Sequence, residues 1–475
     1  MDMDNNRIPE QVRTIHLIAV CGTAMGALAC MLQDMGYAVT GSDHSVYPPM
    51  SDFLRDKGIQ LFDGYSADNM RYHPDLVVVG NAVKKDNPEV VYTVENNIPF
   101  CSMPQALKGF AGQGKSAIAV SGTHGKTTTS SLMAWTLFDA GLEPSFMIGG
   151  IVANFTSNYR LGTGNHIVFE GDEYDTAFFD KGPKFLHYDP RLTILTSVEF
   201  DHADIFRDMD AVLQAFDQFL DQMAPSDILI ACGDDPHVRK LIQHRSCQIE
   251  TYGVAVPDVS WRPGHVRMEN GQQVFEVIHD GRFFGTFRLK MMGAHNLANA
   301  MAVIAAAHRL GISPERISQA LMEFDGVKRR QEVRGVVRDI TIMDDFAHHP
   351  TAVRETLKGV RSFFSKGRVI AVFEPRTNSS KRKVFQDAYA QAFGAADLVC
   401  IAAPEHLEKV PEGDRFSVGK LVEDLSSQGY RAHYFEQVST ILDFICKEAR
   451  PGDVVVIMSS GGFGNIHKRL LDCLA

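Results

Sequence analysis

The stretch Ala117-Ile118-Ala119-Val120-Ser121-Gly122-Thr123-His124-Gly125-Lys126-Thr127-Thr128-Thr129 decides the fold. Its apolar start, 117–120, reads as a buried strand, 121–125 as a loop of small residues, and 126–140 as a helix carrying Leu132, Met133, Trp135, Leu137 and Phe138. Strand, glycine loop, Lys-Thr and helix together make a phosphate cradle. Backbone N–H groups at the helix start point at the anion, and the helix dipole favours negative charge there. Lys126 is placed to reach the terminal phosphates and the Thr127 hydroxyl to ligate Mg²⁺. The usual signature has a further glycine where this chain has Val120, so the loop is a shortened one. A glycine-rich turn capped by threonines is the alternative, but the strand and helix around it favour the cradle.

Around that cradle, 475 residues allow about three domains at ~150 residues each. The net charge of −11 argues against general nucleic-acid binding. The eight cysteines include no Cys-x-x-Cys pair and read as reduced, mostly buried thiols rather than a disulfide framework. The polar start, 1–11, does not read as a signal peptide, and no apolar run is long enough for membrane insertion. These features imply a cytoplasmic protein. They set no oligomeric state.

Two flanking regions carry further chemistry. Residues 15–43 read strand, turn, helix, strand, with Gly22-Thr23-Ala24-Met25 opening the helix and Gly41-Ser42-Asp43 closing the second strand. This is a βαβ nucleotide-binding start with Asp43 placed to meet a hydroxyl, or else a tight turn without a ligand. The three-glycine dinucleotide fingerprint is absent, which counts against a nicotinamide-dependent oxidoreductase. A second apolar strand, 76–79, ends in Gly80-Asn81, and the glycine-rich 108–115 reads as a linker. Downstream, 167–169 runs into Glu170-Gly171-Asp172-Glu173-Tyr174-Asp175. Four crowded carboxylates are costly unless cations sit among them, so Mg²⁺ ligation or a solvated acidic turn is expected. His202 follows the strand 192–198 among Glu199, Asp201 and Asp204, at the edge where open α/β sheets place ligands. The segment 259–290 alternates with glycine turns as a small antiparallel excursion. Asn296 and Asn299 share one face of an alanine-rich helix, and Asn296 alone is a plausible cap.

The phrase Gly122-Thr123-His124-Gly125-Lys126-Thr127-Thr128 resembles the ATP loop of the Mur ligases, which join amino acids or peptides to UDP-N-acetylmuramate. The resemblance extends over nearly the whole chain. It implies an α/β protein of three domains: a Rossmann-like UDP-N-acetylmuramate-binding domain at 1–113, a P-loop ATPase-like central domain at 114–330, and a Rossmann-like peptide-binding domain at 331–475. It places Gly22, Thr23, Ala24, Met25, Ser42, Asp43 and Asn81 at the UDP-sugar, although Cys21 and Ala24 stand where a relative has glycines. It assigns Glu170, with Glu173 as close second, and His202 to the metal together with Thr127. The His295-Asn296-x-x-Asn299 pattern lies at the adenine edge, Arg330 at the ATP phosphates and Asp345 at the ribose. Lys126, Glu170, His202 and Arg330 are then the catalytic set, with ATP and Mg²⁺ as cofactors. Several family members carry a carbamylated lysine downstream of the histidine; from 192 to 239 this chain has no lysine.

Within the family, Val39-Thr40-Gly41-Ser42-Asp43, Val46-Tyr47-Pro48-Pro49-Met50, 199–206, Glu374-Pro375-Arg376 and Gly461-Gly462-Phe463-Gly464 look like the peptidoglycan-recycling branch. That branch attaches the tripeptide L-Ala-γ-D-Glu-meso-diaminopimelate; the alternative is the branch that adds free L-alanine. Arg376, Asn378 and Ser379 are expected to bind the peptide. The competing reading pairs Arg376 with Glu374 or Asp345 on a solvated loop.

Overall fold

The structure, a computed structural model, describes residues 5–44, 46 and 50–475. Tyr47, Pro48 and Pro49 of the 46–50 phrase, and the first four residues, lie outside the described residues. Among the described residues three large sheets follow one another along the chain, each built mainly from short apolar runs, with one further two-stranded hairpin. Parallel strands buried on both faces read as continuous Val/Ile/Leu segments rather than alternating ones, as in Leu76–Val79, Val369–Phe373 and Val454–Met458.

The first sheet has five parallel strands in the order Gln60–Asp63, Ala38–Asp43, Thr14–Ile18, Leu76–Val79, Phe100–Ser102. Helix Thr23–Asp34 follows the first strand. Helix Pro88–Glu95 starts at Asn87, whose side chain accepts from the Glu89 and Val90 N–H groups, with proline in the first turn. The expected linker at 108–115 is only partly one: helix Met103–Gly109 takes its first two residues, and a turn leads from there to strand Ser116–Ser121.

The second sheet has ten strands. At its centre Ser116–Ser121 lies between Leu192–Leu195 and His166–Gly171, parallel to both. The chain departs from this strand to one side and returns to the other, so its C-terminal end is a topological switch point, the place where open α/β sheets leave a crevice. The antiparallel excursion forms Trp261–Glu269, Gln272–His279 and Arg282–Leu289. Helices Lys126–Asp139 and Ala294–Arg309 pack on one face of this sheet.

The third sheet has six strands, with Glu332–Val337 as an antiparallel edge and the order continuing Ile340–Asp345, Val454–Met458, Val369–Phe373, Leu398–Ala402, Arg431–Phe435. One cysteine expectation is corrected here. Cys446 and Cys473 are joined in a disulfide, because helices Val438–Glu448 and Ile466–Leu474 pack together and bring their Cα atoms to 6.6 Å across a sequence separation of 27. The other six cysteines are free, five of them buried.

The domains touch through specific side chains. Phe179, from the hairpin Asp175–Ala177/Asp180–Pro183, packs edge-on against Phe100 of the first domain at 5.0 Å. Phe200 meets Phe385 of the third at 6.4 Å.

Candidate active site

The loop after Ser116–Ser121 turns through two glycines with positive φ. A Cβ on Gly122 (φ 129°) would lie 2.2 Å from Thr196 Oγ1, and one on Gly125 (φ 81°) 2.6 Å from Asn299 Oδ1. Both are therefore fixed as glycine by sterics as well as by φ. Lys126 Nζ donates to the Gly122 carbonyl at 2.6 Å and to Glu173 Oε2 at 2.6 Å. Burial works against its charge, but Glu173 and Asp172 outweigh it and hold the ammonium above the usual lysine range. Thr127 Oγ1 donates to Glu170 Oε1 at 2.8 Å, and Glu170 Oε2 accepts from the Gly149 N–H at 2.7 Å. Arg330 Nη2 comes to 3.3 Å from Thr127 Oγ1, its guanidinium stacked 4.8 Å over Phe346. Burial lowers the Arg330 pKa despite Asp345 and Glu170.

The acidic turn divides between two neighbours. Glu170 faces Thr127, whereas Glu173 lies between Lys126 and His202, whose Nε2 is 3.5 Å from Glu173 Oε1. Asp172, Glu173 and His202 bring one ligand atom each to within 4.8 Å of one another. His202, itself at φ 53°, is thus grouped with Glu173 rather than Glu170. Burial opposes its charge, but Glu173 and Asp201 raise its pKa. Lys184 Nζ donates to Asp172 Oδ2 at 2.7 Å; burial raises the Asp172 carboxyl, but Lys184 and Lys126 hold it well below the usual range. The crowded carboxylates are therefore interleaved with two lysines and a histidine.

From the helix Ala294–Arg309, Asn299 Nδ2 donates to Asn296 Oδ1 at 3.1 Å, and Asn296 donates to the Met292 carbonyl and to Gln331 Oε1. Asn296 does not cap the helix; Gly293 (φ 91°) takes that position. Burial lowers the His295 pKa to about 4, and its buried Nδ1 has no hydrogen-bond partner. Asp345 is buried, and its two oxygens accept from the Gln331 and Ala347 N–H groups at 2.8 Å each.

The remaining expected residues are distributed unevenly. Gly22 caps the helix whose residue Ala24 faces the central cavity, with Thr23 and Met25 beside it. Asp43 Oδ2 accepts from the Cys21 N–H at 2.8 Å and so ties down that loop. Ser42 departs from expectation: its side chain is fully buried between His16 and Glu89, because alternate residues of its strand face the domain interior. Asn81 donates to the backbone carbonyl of Asp175 and joins the first domain to the second. Arg376 pairs with Glu374 at 3.4 Å and Glu405 at 3.0 Å, not with Asp345. Asn378 Nδ2 donates to Asp204 Oδ2 at 3.0 Å, and Ser379 Oγ accepts from the Ala203 N–H at 3.4 Å.

One cavity of about 480 Å³ is lined by the glycine loop, Glu170, Asp172, His202, His295, Asn296, Asn299, Arg330 and Asp345. Sequence reasoning passed over several of its walls. Lys184 gave no signal, being a lysine outside every motif. Glu199 and His349 stood inside motifs without roles: Glu199 pairs with His124 at 2.9 Å, and His349 sits 3.6 Å from the same carboxylate. Gln331, a domain-boundary residue, bonds Asn296.

Comparison with known proteins follows the same three-part division. Models described as the Mur ligase family catalytic domain, the Mur ligase middle domain and the Mur ligase glutamate ligase domain match residues 14–115, 120–307 and 329–461. A Haemophilus influenzae protein named UDP-N-acetylmuramate–L-alanyl-γ-D-glutamyl-meso-2,6-diaminoheptandioate ligase is 39% identical over 98% of this chain and 99% of its own. The Escherichia coli K12 protein of the same name is 40% identical over 97% of this chain and 98% of its own. The crystal structure of a murein peptide ligase from Psychrobacter arcticus 273-4 superposes with a TM-score of 0.71 at 34% identity, covering 97% of this chain and 98% of that one.

Proposed function

The chain belongs to the Mur ligase family, and from that premise we propose that it is an ATP-dependent amide ligase of peptidoglycan recycling. Its substrates are the tripeptide L-Ala-γ-D-Glu-meso-diaminopimelate and UDP-N-acetylmuramate, and it works in the cytoplasm. The observation that carries this reading is the convergence on one cavity of a phosphate cradle, interleaved carboxylates and lysines, and residues of the third domain. It occurs in a chain similar along its full length to enzymes named for that ligation. In this reading residues 1–113 bind UDP-N-acetylmuramate, 114–330 bind ATP and 331–475 bind the peptide.

The muramate lactyl carboxylate attacks the γ-phosphorus of ATP, ADP leaves, and an acyl phosphate forms. The tripeptide's free amine attacks the acyl carbon; phosphate leaves with the bonding pair, and the amine gives up a proton as the amide forms. Lys126 acts as a point charge on the transferring phosphoryl group, and Arg330, clamped on Phe346, offers a planar donor fork to the same oxygens. Asn296 and Asn299 hold the loop edge beside the base. Closing the third domain over the cavity excludes water that would hydrolyse the acyl phosphate.

The donor set fits Mg²⁺: Thr127 with Glu170, and Asp172, Glu173 and His202 beside them, supply mainly the oxygen atoms that this ion takes together with phosphate oxygens. Bound there, Mg²⁺ would neutralise charge on the phosphates. Trapping tests the reaction type. With ATP, UDP-N-acetylmuramate and hydroxylamine but no peptide, the enzyme should form the muramoyl hydroxamate and release ADP. ADP release without hydroxamate, or neither, would contradict an acyl phosphate.

A further inference from the structure

His124 Nε2 lies 2.9 Å from Glu199 Oε2, and His349 Nδ1 lies 3.6 Å from the same oxygen. The three ligand atoms all fall within 4.8 Å of one another, and all three residues line the central cavity. We propose that His124, Glu199 and His349 form a transition-metal site, of the Zn²⁺ class, that fastens the third domain to the phosphate loop. This site is separate from the carboxylate-rich one assigned above to Mg²⁺ and does not depend on the ligase reading.

The geometry suits that class of ion. Zn²⁺ binds nitrogen and carboxylate oxygen at about 2.0–2.2 Å in tetrahedral array, which puts neighbouring ligand atoms roughly 3.3 Å apart. The two histidine–carboxylate distances bracket that value. Two imidazoles and one carboxylate are a borderline-soft donor set, unlike the oxygen ligands that Mg²⁺ requires. The donors are also prepared. Glu199 is held ionised, its pKa brought down to about 2 because His124 outweighs burial. His349 is held neutral by burial. Its Nε2 is 3.3 Å from the Phe200 carbonyl, the outer hydrogen bond that orients metal-binding histidines, and the Nε2–H tautomer leaves Nδ1 unprotonated, 3.6 Å from Glu199 Oε2. That lone pair now accepts only a long bond, 3.3 Å, from the Thr351 N–H. For His124 to ligate through Nε2, its proton moves to Nδ1.

The consequence is mechanical. His124 belongs to the phosphate loop, Glu199 follows the central strand Leu192–Leu195, and His349 caps helix Pro350–Phe363 of the third domain. An ion held by all three would cross-link the two domains beside the cavity they line.

The test is a Zn²⁺ titration of chelator-stripped full-length protein, without nucleotide or Mg²⁺, against a chromogenic competitor, with a thermal melt of each variant. The expected result is a site lost at least tenfold in affinity in His349→Ala, and likewise in Glu199→Gln, but kept in His202→Ala. Zn²⁺ should raise the melting temperature of the wild type and of His202→Ala, and not of the other two. Should His349→Ala prove unfolded by its melt, Glu199→Gln and His124→Gln carry the test. Binding abolished by His202→Ala and untouched by the other substitutions would place the ion at Asp172 and Glu173. That result, or no site in the wild type, overturns the proposal.

Discussion

Lys126 and His202 share one carboxylate: Glu173 lies 2.6 Å from the lysine ammonium and 3.5 Å from the histidine ring. The phosphate loop and the segment that follows strand Leu192–Leu195 are thereby linked through a residue that is 2% exposed. Removing either cation leaves a buried carboxylate with less compensation than it has now, so catalytic and structural effects have to be measured separately.

Lys126→Ala is expected to reduce ADP release by ~10³-fold or more, since the charge acts on the transferring phosphoryl group. It should also destabilise the fold by about 1–3 kcal/mol through the uncompensated Glu173. Steady-state ADP production and a denaturant melt check both. A folded variant with near-normal turnover would remove Lys126 from the chemistry.

Gly125→Ala meets Asn299 Oδ1 at 2.6 Å and a φ of 81°. A cost of about 1–2 kcal/mol is expected from the left-handed backbone, together with a raised KM for ATP as the loop shifts. Gly141→Ala shares a positive φ (77°) but has nothing within 4 Å of the added Cβ. It should lose comparable stability and keep the KM for ATP.

Acidification should loosen the seam between the second and third domains. Burial, with His124 beside it, lowers the His349 pKa from 6.5 to about 4. Between those values the unfolded chain takes up a proton that the folded chain refuses, so stability falls as the pH drops through that window. Glu199, brought from 4.5 to about 2, adds a loss of the same sign below pH 4.5. In metal-free buffer His349→Gln should flatten the pH dependence of stability between 6.5 and 4 by roughly 3 kcal/mol. An unchanged slope would show that His349 titrates normally.

Arg376→Lys is expected to raise the KM for the tripeptide about tenfold while moving those for ATP and UDP-N-acetylmuramate little, because lysine cannot copy a two-pronged grip on a carboxylate. Glu374 and Glu405 now hold this guanidinium. Equal small changes in all three constants would leave Arg376 a partner of those glutamates alone.

The sheets were legible because their strands are buried on both faces: 76–79 reads directly as the strand observed, and 117–120 falls within the strand Ser116–Ser121. The glycine loop was legible because its chemistry is local, from Gly122 to Thr128. What was hidden depends on contacts between distant segments. Arg376 meets Glu405, which follows a different strand. His124 and His349 meet only where two domains pack. Cys446 and Cys473 pair because two helices lie side by side. Ser42 was misjudged by the side of its strand: Asp43, one residue on, reaches the loop, whereas Ser42 points inward.

The identity of the amine separates the two branches, and competition measures it directly. The protein is given ATP, Mg²⁺ and UDP-N-acetylmuramate with the tripeptide and L-alanine together, and the two products are separated and counted. Nearly all product should carry the tripeptide, with ADP released in equal amount. Product carrying mainly L-alanine would contradict it and move the chain to the alanine-adding branch.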